Sequence, residues 1–438
     1  MSKSIGEKIK ELRKELKITQ SELAGKDMTK SMLSQIENNI ATPSMKNLKL
    51  IAKRLDKPVS YFLEDDCLPK NELPINEIRE KVKEINSLID SLKYEKSREE
   101  LYALLSKYNF KQNDKLYSDI LYKLGECLAY LNLFDESEKV IDKAVNIYEK
   151  NQLYSDAAIA YIEKINRYMS DFNYMPCLDI LDKATDVYNL SITKDYLFEI
   201  KLMFIKALVY SGLGDFNNTV LMLKKAISFS NEKKIYYKSD SLYQTLASIN
   251  LISRNYDEFK YNIHKAEQFA LFTEDKLSMS IIHINYAEFE IHINNPQKAI
   301  EYLNSIEDNM LRKDLKIFYT MAKAKALYLL EDYENALTLL EKMNYNYDKL
   351  LKHDYLFMWS AKIYHGLTLF KLGKYNEALK EMHIGIAKLE VFQNSIYHVF
   401  AYKSISEIYH KLKEFETAFK YLKMANDMED DLKGLPFK

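Results

Sequence analysis

Polar side chains able to read bases recur in one short segment near the start of the chain. Between Thr29 and Asn38 the sequence is TKSMLSQIEN, in which Leu33 and Ile36 mark the buried face of a helix. A Gln or Asn amide can pair with adenine, a Lys ammonium can donate to guanine, and Ser suits either base. The segment therefore predicts a DNA-reading helix that Thr29 caps, and Thr29 is itself an expected DNA contact. Its outward residues are Lys30, Ser31, Ser34, Gln35 and Asn38.

Residues 1–63, here called the head, must position that helix, and their sequence predicts five short helices. Thr19-Gln-Ser-Glu22 is a capping box that starts the second helix. Asn39 can take the left-handed conformation that ends the third helix. Pro43-Ser44 opens the fourth helix and Pro58 the fifth.

Charge separates the head from the rest of the chain. The head has 13 Lys and Arg against 7 Asp and Glu, a net charge of +6, whereas the whole chain has −1. A basic head on an acidic body favours an anionic partner for the head. Pro69 and Pro74 lie in a polar stretch that predicts a linker over residues 64–76, with a second domain over 77–438.

The string ITQSELAGKDMTKSMLSQIENN, followed by PSMKNLKLIAKRLDKPVSYFL, resembles an Xre/Cro-type helix-turn-helix. The resemblance covers residues 4–63. It implies that the third helix lies in the major groove of double-stranded DNA. It also implies that Gln20 contacts a phosphate and that Arg13 and Glu37 form a structural ion pair.

A local pattern recurs through the second domain. An aromatic residue, or Pro in one case, is followed three positions later by a small or apolar residue and seven positions after that by another. The pattern predicts eight helix pairs, and a further pair without the signature is expected over residues 77–110. The units are spaced 37 to 42 residues apart, at Phe134, Tyr174, Phe216, Tyr256, Pro296, Tyr333, Tyr375 and Phe415.

The unit resembles the tetratricopeptide repeat in strings such as LGKYNEALKEMHIGI, although the usual period is about 34. The resemblance implies a right-handed superhelix with a concave inner face. Asn166 on that face can pair with both the C=O and the N–H of a peptide backbone. We therefore predict a short-peptide site there; the alternative for each residue is a solvated polar side chain in the groove. Repeat phase gives Tyr122, Glu126, Asn166, Gln244, Ser248, Glu288, His292 and Lys325.

The expected fold is all-α: a five-helix helix-turn-helix domain followed by a right-handed tetratricopeptide-like α-solenoid. Only 9 Gly and 7 Pro leave little room for hairpins or phosphate-binding loops. No nucleotide-binding or H-E-x-x-H motif occurs, so we expect no enzyme activity, no cofactor and no metal. Three scattered cysteines, the absence of a secretory signal and the absence of a membrane span predict a cytoplasmic protein.

A basic head joined to a repeat body resembles the peptide-pheromone receptors of the Rap–Rgg–NprR–PlcR–PrgX class, and among them the RstA-type regulators of clostridia. The resemblance implies a homodimeric transcriptional regulator, expected to be a repressor. A short signalling peptide would control its operator binding in quorum sensing, sporulation or toxin and virulence control. The alternative is a docking scaffold that sequesters a phosphorelay kinase or response regulator.

Overall fold

The computed structural model describes residues 4–63, 74–111, 113–311, 313–343, 345, 352–392 and 394–433. Within these ranges the chain is helical and contains no strand, as the sequence predicts. Most of the predicted linker, residues 64–73, lies outside the described residues. The chain divides into two compact units, residues 1–93 with 99–110 and residues 94–98 with 111–438.

The described part of the head contains five helices, and side-chain caps fix where the first four begin. Ser4, Thr19, Thr29 and Ser44 each accept a hydrogen bond from the backbone N–H three residues later. Asn39 has a φ of 58°, the left-handed conformation expected after the third helix. The bounds are α1 (Ile5–Glu15), α2 (Gln20–Ala24), α3 (Lys30–Glu37), α4 (Met45–Arg54) and α5 (Val59–Leu63).

The core of the head is a single apolar cluster that holds α3 by its inner face. Leu33 and Ile36 are buried there with Ile9, Ile51 and Phe62. The side of α3 that carries Lys30, Ser31 and Gln35 is left to solvent, as the apolar spacing predicts.

The next two helices are α6 (Ile75–Asp90) and α7 (Tyr94–Lys107), the pair expected over residues 77–110. Because α6 begins at Ile75, the last positions of the predicted linker are helical.

Eight helix pairs follow, as the recurring pattern predicts. Each pattern start is the first residue of a second helix, except Tyr174, which caps its helix. The first helices are α8 (Lys115–Tyr130), α10 (Tyr154–Ile162) with α11 (Ile165–Ser170), α13 (Tyr196–Leu213), α15 (Ser239–Ile252), α17 (Lys276–His292), α19 (Lys313–Leu329), α21 (Lys352–Lys371) and α23 (Ile396–Lys411). The second helices are α9 (Phe134–Lys150), α12 (Met175–Asn189), α14 (Phe216–Lys233), α16 (Tyr256–Phe272), α18 (Pro296–Asn304), α20 (Tyr333–Glu341), α22 (Tyr375–Leu389) and α24 (Phe415–Lys433). A short 3₁₀ turn, Asp308–Met310, precedes α19.

Small residues let the two helices of a pair approach closely. A Cβ atom on Gly125 of α8 would overlap the Ile141 side chain of α9, and one on Gly366 of α21 would overlap Met382 of α22. Second helices then pack against the first helix of the next pair, for example α14 against α15 and α22 against α23. These contacts build the solenoid.

The first helices also contact one another along the inner face, α15 to α17, α17 to α19, α19 to α21 and α21 to α23. In addition, α13 contacts α21, four pairs further along the chain. The rings of Phe172 and Phe392 meet edge to face with centroids 5.7 Å apart. Successive turns of this superhelix therefore touch.

The first helix of the second pair is broken at Glu163 and Lys164, between α10 and α11. Their backbone N–H groups bond three residues back, to Ala160 and Tyr161, at 3.2 Å each. A tightened turn inside a longer helix often marks a functional position. Glu163 lies at this break, and Asn166 is the second residue of α11.

Candidate nucleic-acid interface and inner-face clusters

The outer face of α3 is the candidate nucleic-acid interface. Lys30, Ser31 and Gln35 are exposed and Ser34 is half-buried. Within the described residues no hydrogen bond engages any of these four side chains, and none forms an ion pair. Their donors and acceptors therefore face solvent, where base edges could meet them.

An ion pair beneath α3 fixes the helix in the head. Arg13 donates from Nε to Glu37 Oε1 at 2.5 Å and from Nη2 to Oε2 at 2.8 Å. Arg13 Nη1 also donates to the carbonyl of Ile18 at 3.1 Å. Burial raises the pKa of Glu37, but the hydrogen bonds from Arg13 and Gln20 prevail and hold that pKa below its usual value. The pair ties α1 to α3 inside the head, and the Glu37 side chain is fully buried.

Three of the predicted DNA contacts already have partners inside the head. Gln20 Nε2 donates to Glu37 Oε2 at 2.9 Å, so a phosphate contact by this side chain would use its other N–H. The Asn38 amide oxygen accepts from Lys10 Nζ at 3.0 Å. The Thr29 hydroxyl accepts from the Met32 N–H at 3.2 Å as the α3 cap. These three side chains therefore hold parts of the head in place, in addition to the DNA contacts predicted for them.

The first inner cluster joins the residues predicted on α8 and α11. The Asn166 amide donates to the carbonyl and to the carboxylate of Glu163, both at 3.0 Å. Burial raises the pKa of Glu163, and the nearby Glu126 carboxylate raises it further, whereas Lys201 lowers it. Burial also raises the pKa of Tyr122, with contributions from Glu163 and Glu126. The cluster therefore combines an amide, two carboxylates and a phenol within one region.

Glu126 has a partner on its own helix, because Lys123 Nζ lies 3.0 Å from Glu126 Oε2. No ion pair holds Glu163 within the described residues. Glu163 was not among the residues predicted for the peptide site. It lies three residues before Asn166, and residues at that spacing share a helix face.

The second inner cluster is a hydrogen-bonded chain across α15 and α17. Gln244 Nε2 donates to Ser248 Oγ at 3.2 Å, and Ser248 Oγ donates to Asn285 Oδ1 at 3.1 Å. Asn285 Nδ2 in turn donates to the carbonyl of Ile281 at 3.0 Å. Gln244 and Ser248 thus meet at the inner face, and Asn285 links α15 to α17.

The third inner cluster contains a buried ion pair between two first helices. Glu288 and Lys325, two of the residues predicted at the peptide site, are 3 % and 4 % exposed and pair with each other, with Lys325 Nζ 3.2 Å from Glu288 Oε2. Lys325 Nζ also lies 3.9 Å from the centroid of the Phe357 ring. Burial lowers the pKa of Lys325 and of His292, whose Nδ1 lies 2.8 Å from the Glu288 carbonyl. Neither charge is free.

These lateral bonds join positions about one repeat apart on neighbouring first helices. Lys115 pairs with Asp156, Ser278 donates to Asp240, Ser248 donates to Asn285, and Lys325 pairs with Glu288. The sequence period contains a signal for these pairs, because residues one period apart lie side by side when first helices line one face. The repeat phase along a single helix identifies the face on which a residue lies but not its partner on the neighbouring helix.

Other chemistry is sparse in the part of the chain that the structure describes. No three His, Cys, Asp or Glu side chains there are arranged to hold a metal ion. Cys127 and Cys177 are buried free thiols, and burial raises the pKa of each to about 12. Cys67 lies outside the described residues. Among the described helices, none combines the length and the apolar character needed to cross a bilayer.

Two family models match this chain. A helix-turn-helix model matches residues 9–62, which span the α3 interface, and a tetratricopeptide repeat model matches residues 118–151, which span the first of the eight pairs. The chain is a helix-turn-helix domain followed by tetratricopeptide-like repeats. Neither matched model describes an enzyme family.

A relative and two solved structures extend these matches. The immunity repressor protein of Bacillus phage phi105 is 37 % identical over 70 residues, which are 16 % of this chain and 49 % of the repressor, so the match spans about half of that relative. The apo form of RapI has a TM-score of 0.56 at 12 % identity, covering 81 % of this chain and 98 % of RapI. A Rap protein complexed with Competence and Sporulation Factor has a TM-score of 0.52 at 12 % identity, covering 82 % and 99 %. At identities this low, the likeness shows only that these two structures and this chain share a fold.

Proposed function

We propose that this chain is a transcriptional regulator whose head binds an operator and whose repeat domain, residues 77–438, receives a short signalling peptide. The outer face of α3 carries the proposal. Its Lys, Ser and Gln side chains are presented to solvent on a helix that a buried ion pair holds in place. The net charge of +6 on the head supports attraction to DNA phosphates.

The peptide part of the proposal rests on the first two inner clusters. The amides of Asn166 and Gln244 can bond to a peptide backbone once their present partners are exchanged. Tyr122 offers an aromatic surface, and Glu126 and Glu163 offer carboxylates to a cationic group. The third cluster, with Glu288, His292 and Lys325, would shape the groove from beneath.

The regulator would act in the cytoplasm as a homodimer on a pseudo-palindromic site, with half-sites about 34 Å apart or a multiple of that. We assign it as a repressor in quorum sensing, sporulation or virulence control. By thermodynamic linkage, a peptide that changes operator affinity must have its own affinity changed by the operator by the same factor.

The DNA proposal is tested by selecting bound sequences from a random pool of duplexes with the full chain. A variant with Lys30→Ala, Ser31→Ala and Gln35→Ala should lose the enriched sequence, and Lys14→Ala, an exposed change on α1, should keep it. Failure to enrich any sequence would refute operator recognition. Binding of a purified phosphorelay kinase or response regulator, with no enriched DNA, would favour the docking scaffold instead.

The peptide proposal is tested by purifying the full chain from its native host and identifying any bound peptide by mass spectrometry. Calorimetry with that peptide should give different affinities with and without operator. Asn166→Ala should weaken binding, whereas Gln268→Ala, an exposed amide on the second helix α16, should not. Normal binding by Asn166→Ala would place the site elsewhere.

A further inference from the structure

The last described helix, α24, exposes large apolar side chains along one face. Phe415, Phe419 and Leu422 follow the i, i+4, i+7 spacing of a single helical stripe. They are 59 %, 68 % and 42 % exposed. Three such residues in line differ from the scattered single apolar residues that any protein surface carries.

Comparison with the other repeats identifies Leu422 as a residue at a packing position. Leu422 lies seven positions after the start of its second helix, and the residues at that position in the seven earlier repeats are 0–1 % exposed. Each earlier second helix packs against a following first helix, and no helix follows α24 within the described residues. The buried equivalents are Ile141, Leu181, Leu223, Ile263, Leu303, Leu340 and Met382.

Charges beside the stripe are segregated by sign. Glu414 and Glu416 lie at the N-terminal end of α24, and Lys420 and Lys423 lie in its middle. All four are exposed, and none forms an ion pair within the described residues. The alternation continues outward, because Lys413 precedes the acids and Asp427 follows the lysines. Read from one end the signs are +, −, +, −, and read from the other end they are −, +, −, +.

We propose that the apolar stripe of α24 packs antiparallel against α24 of a second copy of this chain, with Phe419 near the two-fold axis. In that arrangement Glu416, which shares one flank of the stripe with Lys420 and Lys423, faces these two lysines of the second copy, and the same pairing recurs across the two-fold axis. A two-fold interface must be complementary to itself, and the reversed sign order satisfies this. A parallel pairing would place like charges together. The proposal rests on the homodimer proposed above and assigns its interface to α24.

The charge pattern allows a direct test with the full chain by analytical ultracentrifugation. Variant A carries Lys420→Glu and Lys423→Glu, and variant B carries Glu414→Lys and Glu416→Lys. Each should be monomeric alone because like charges face each other, and an equimolar mixture should restore the dimer. Restoration would support the interface. A mixture that remains monomeric while the wild type dimerises would overturn it.

The apolar stripe is tested with Phe419→Asp, which should weaken the dimer by roughly 30-fold or more, as the loss of a central aromatic anchor does. Phe272→Asp is the matched control, because Phe272 is 81 % exposed at the end of α16. Circular dichroism should show both variants folded. A Phe419→Asp variant that dimerises like the wild type would overturn this surface and leave the homodimer intact. A wild type that stays monomeric at tens of micromolar would overturn both the α24 interface and the homodimer. The outcome of the operator selection would not depend on that result.

Discussion

The α3 face and the inner face of the repeats both carry polar side chains, but they hold them differently. On α3 the predicted base readers Lys30, Ser31 and Gln35 point to solvent without internal partners. On the inner face Asn166, Gln244 and Lys325 are each bonded to another side chain. Under the proposed function, the head would bind DNA with groups that are already free, whereas the repeats would exchange internal bonds for bonds to a peptide.

This difference predicts different effects for substitutions in the two regions. A surface whose groups are already free gains each new hydrogen bond without breaking another one. A groove whose polar groups are satisfied changes its internal connections when a ligand enters. Two of those connections, Ser248 to Asn285 and Lys325 to Glu288, join neighbouring repeats. We therefore expect head variants to change affinity and inner-face variants to change the stability and geometry of the superhelix.

The largest effect is expected from the third inner cluster. Lys325→Met leaves Glu288 buried without its counter-charge and should lower the free energy of unfolding of the repeats by about 3–5 kcal/mol. The double variant Lys325→Met with Glu288→Leu should recover most of that loss, because both charges are removed together. Urea denaturation measures this, with Lys316→Met on the exposed side of α19 as control. A double variant as unstable as the single one would contradict the explanation.

The next effect concerns the ion pair beneath α3. Arg13→Ala should destabilise the head by about 3 kcal/mol, because Glu37 is buried. Since the pKa of Glu37 is lowered in the folded head, its contribution is complete above the ordinary carboxyl pKa and is lost as the pH falls through the lowered value. Lys14→Ala on the same helix is the control. Equal acid sensitivity in wild type and Arg13→Ala would argue against the pair as its source.

A smaller effect should separate base reading from positioning on DNA. Gln35→Ala should cost about 1–3 kcal/mol of binding on the selected operator and little on random duplex. Gln20→Ala, at the predicted phosphate contact, should weaken both to a similar extent. Fluorescence anisotropy titrations at a fixed salt concentration distinguish these outcomes. Equal losses for Gln35→Ala on both sequences would make Gln35 a positioning residue.

The smallest effect is expected at the helix break of the first inner cluster. Because burial raises the pKa of Glu163, the stability of the folded chain should fall as the pH rises above about 4.5, the ordinary value for a glutamate. Glu163→Gln removes that ionisation and should raise the free energy of unfolding at neutral pH by about 0.5–1 kcal/mol. Glu136→Gln, an exposed change on α9, is the control. An unchanged pH profile in Glu163→Gln would show that another group is responsible.

Much of the architecture was predictable because it depends on local sequence. The repeat starts, such as Phe134 and Phe216, recur at nearly constant spacing and lie at helix starts as expected. The capping box at Thr19 and the left-handed Asn39 depend on a few neighbouring residues. The outward phase of Gln35 follows from two buried residues on the same helix.

The pairing of side chains was harder to predict. No Gly or Pro lies at the break near Glu163, so the apolar period predicts one continuous helix through this position. The burial of Lys325 depends on Glu288, one repeat earlier, and on Phe357, one repeat later. Such features depend on three helices at once, and a pattern read along one helix does not contain them.

The contact between α13 and α21, with Phe172 against Phe392, has a mechanical consequence for the superhelix. A coil whose turns already touch can lengthen but cannot shorten. From this arrangement, we expect any change of the superhelical pitch to proceed by extension, which would separate the contact between α13 and α21.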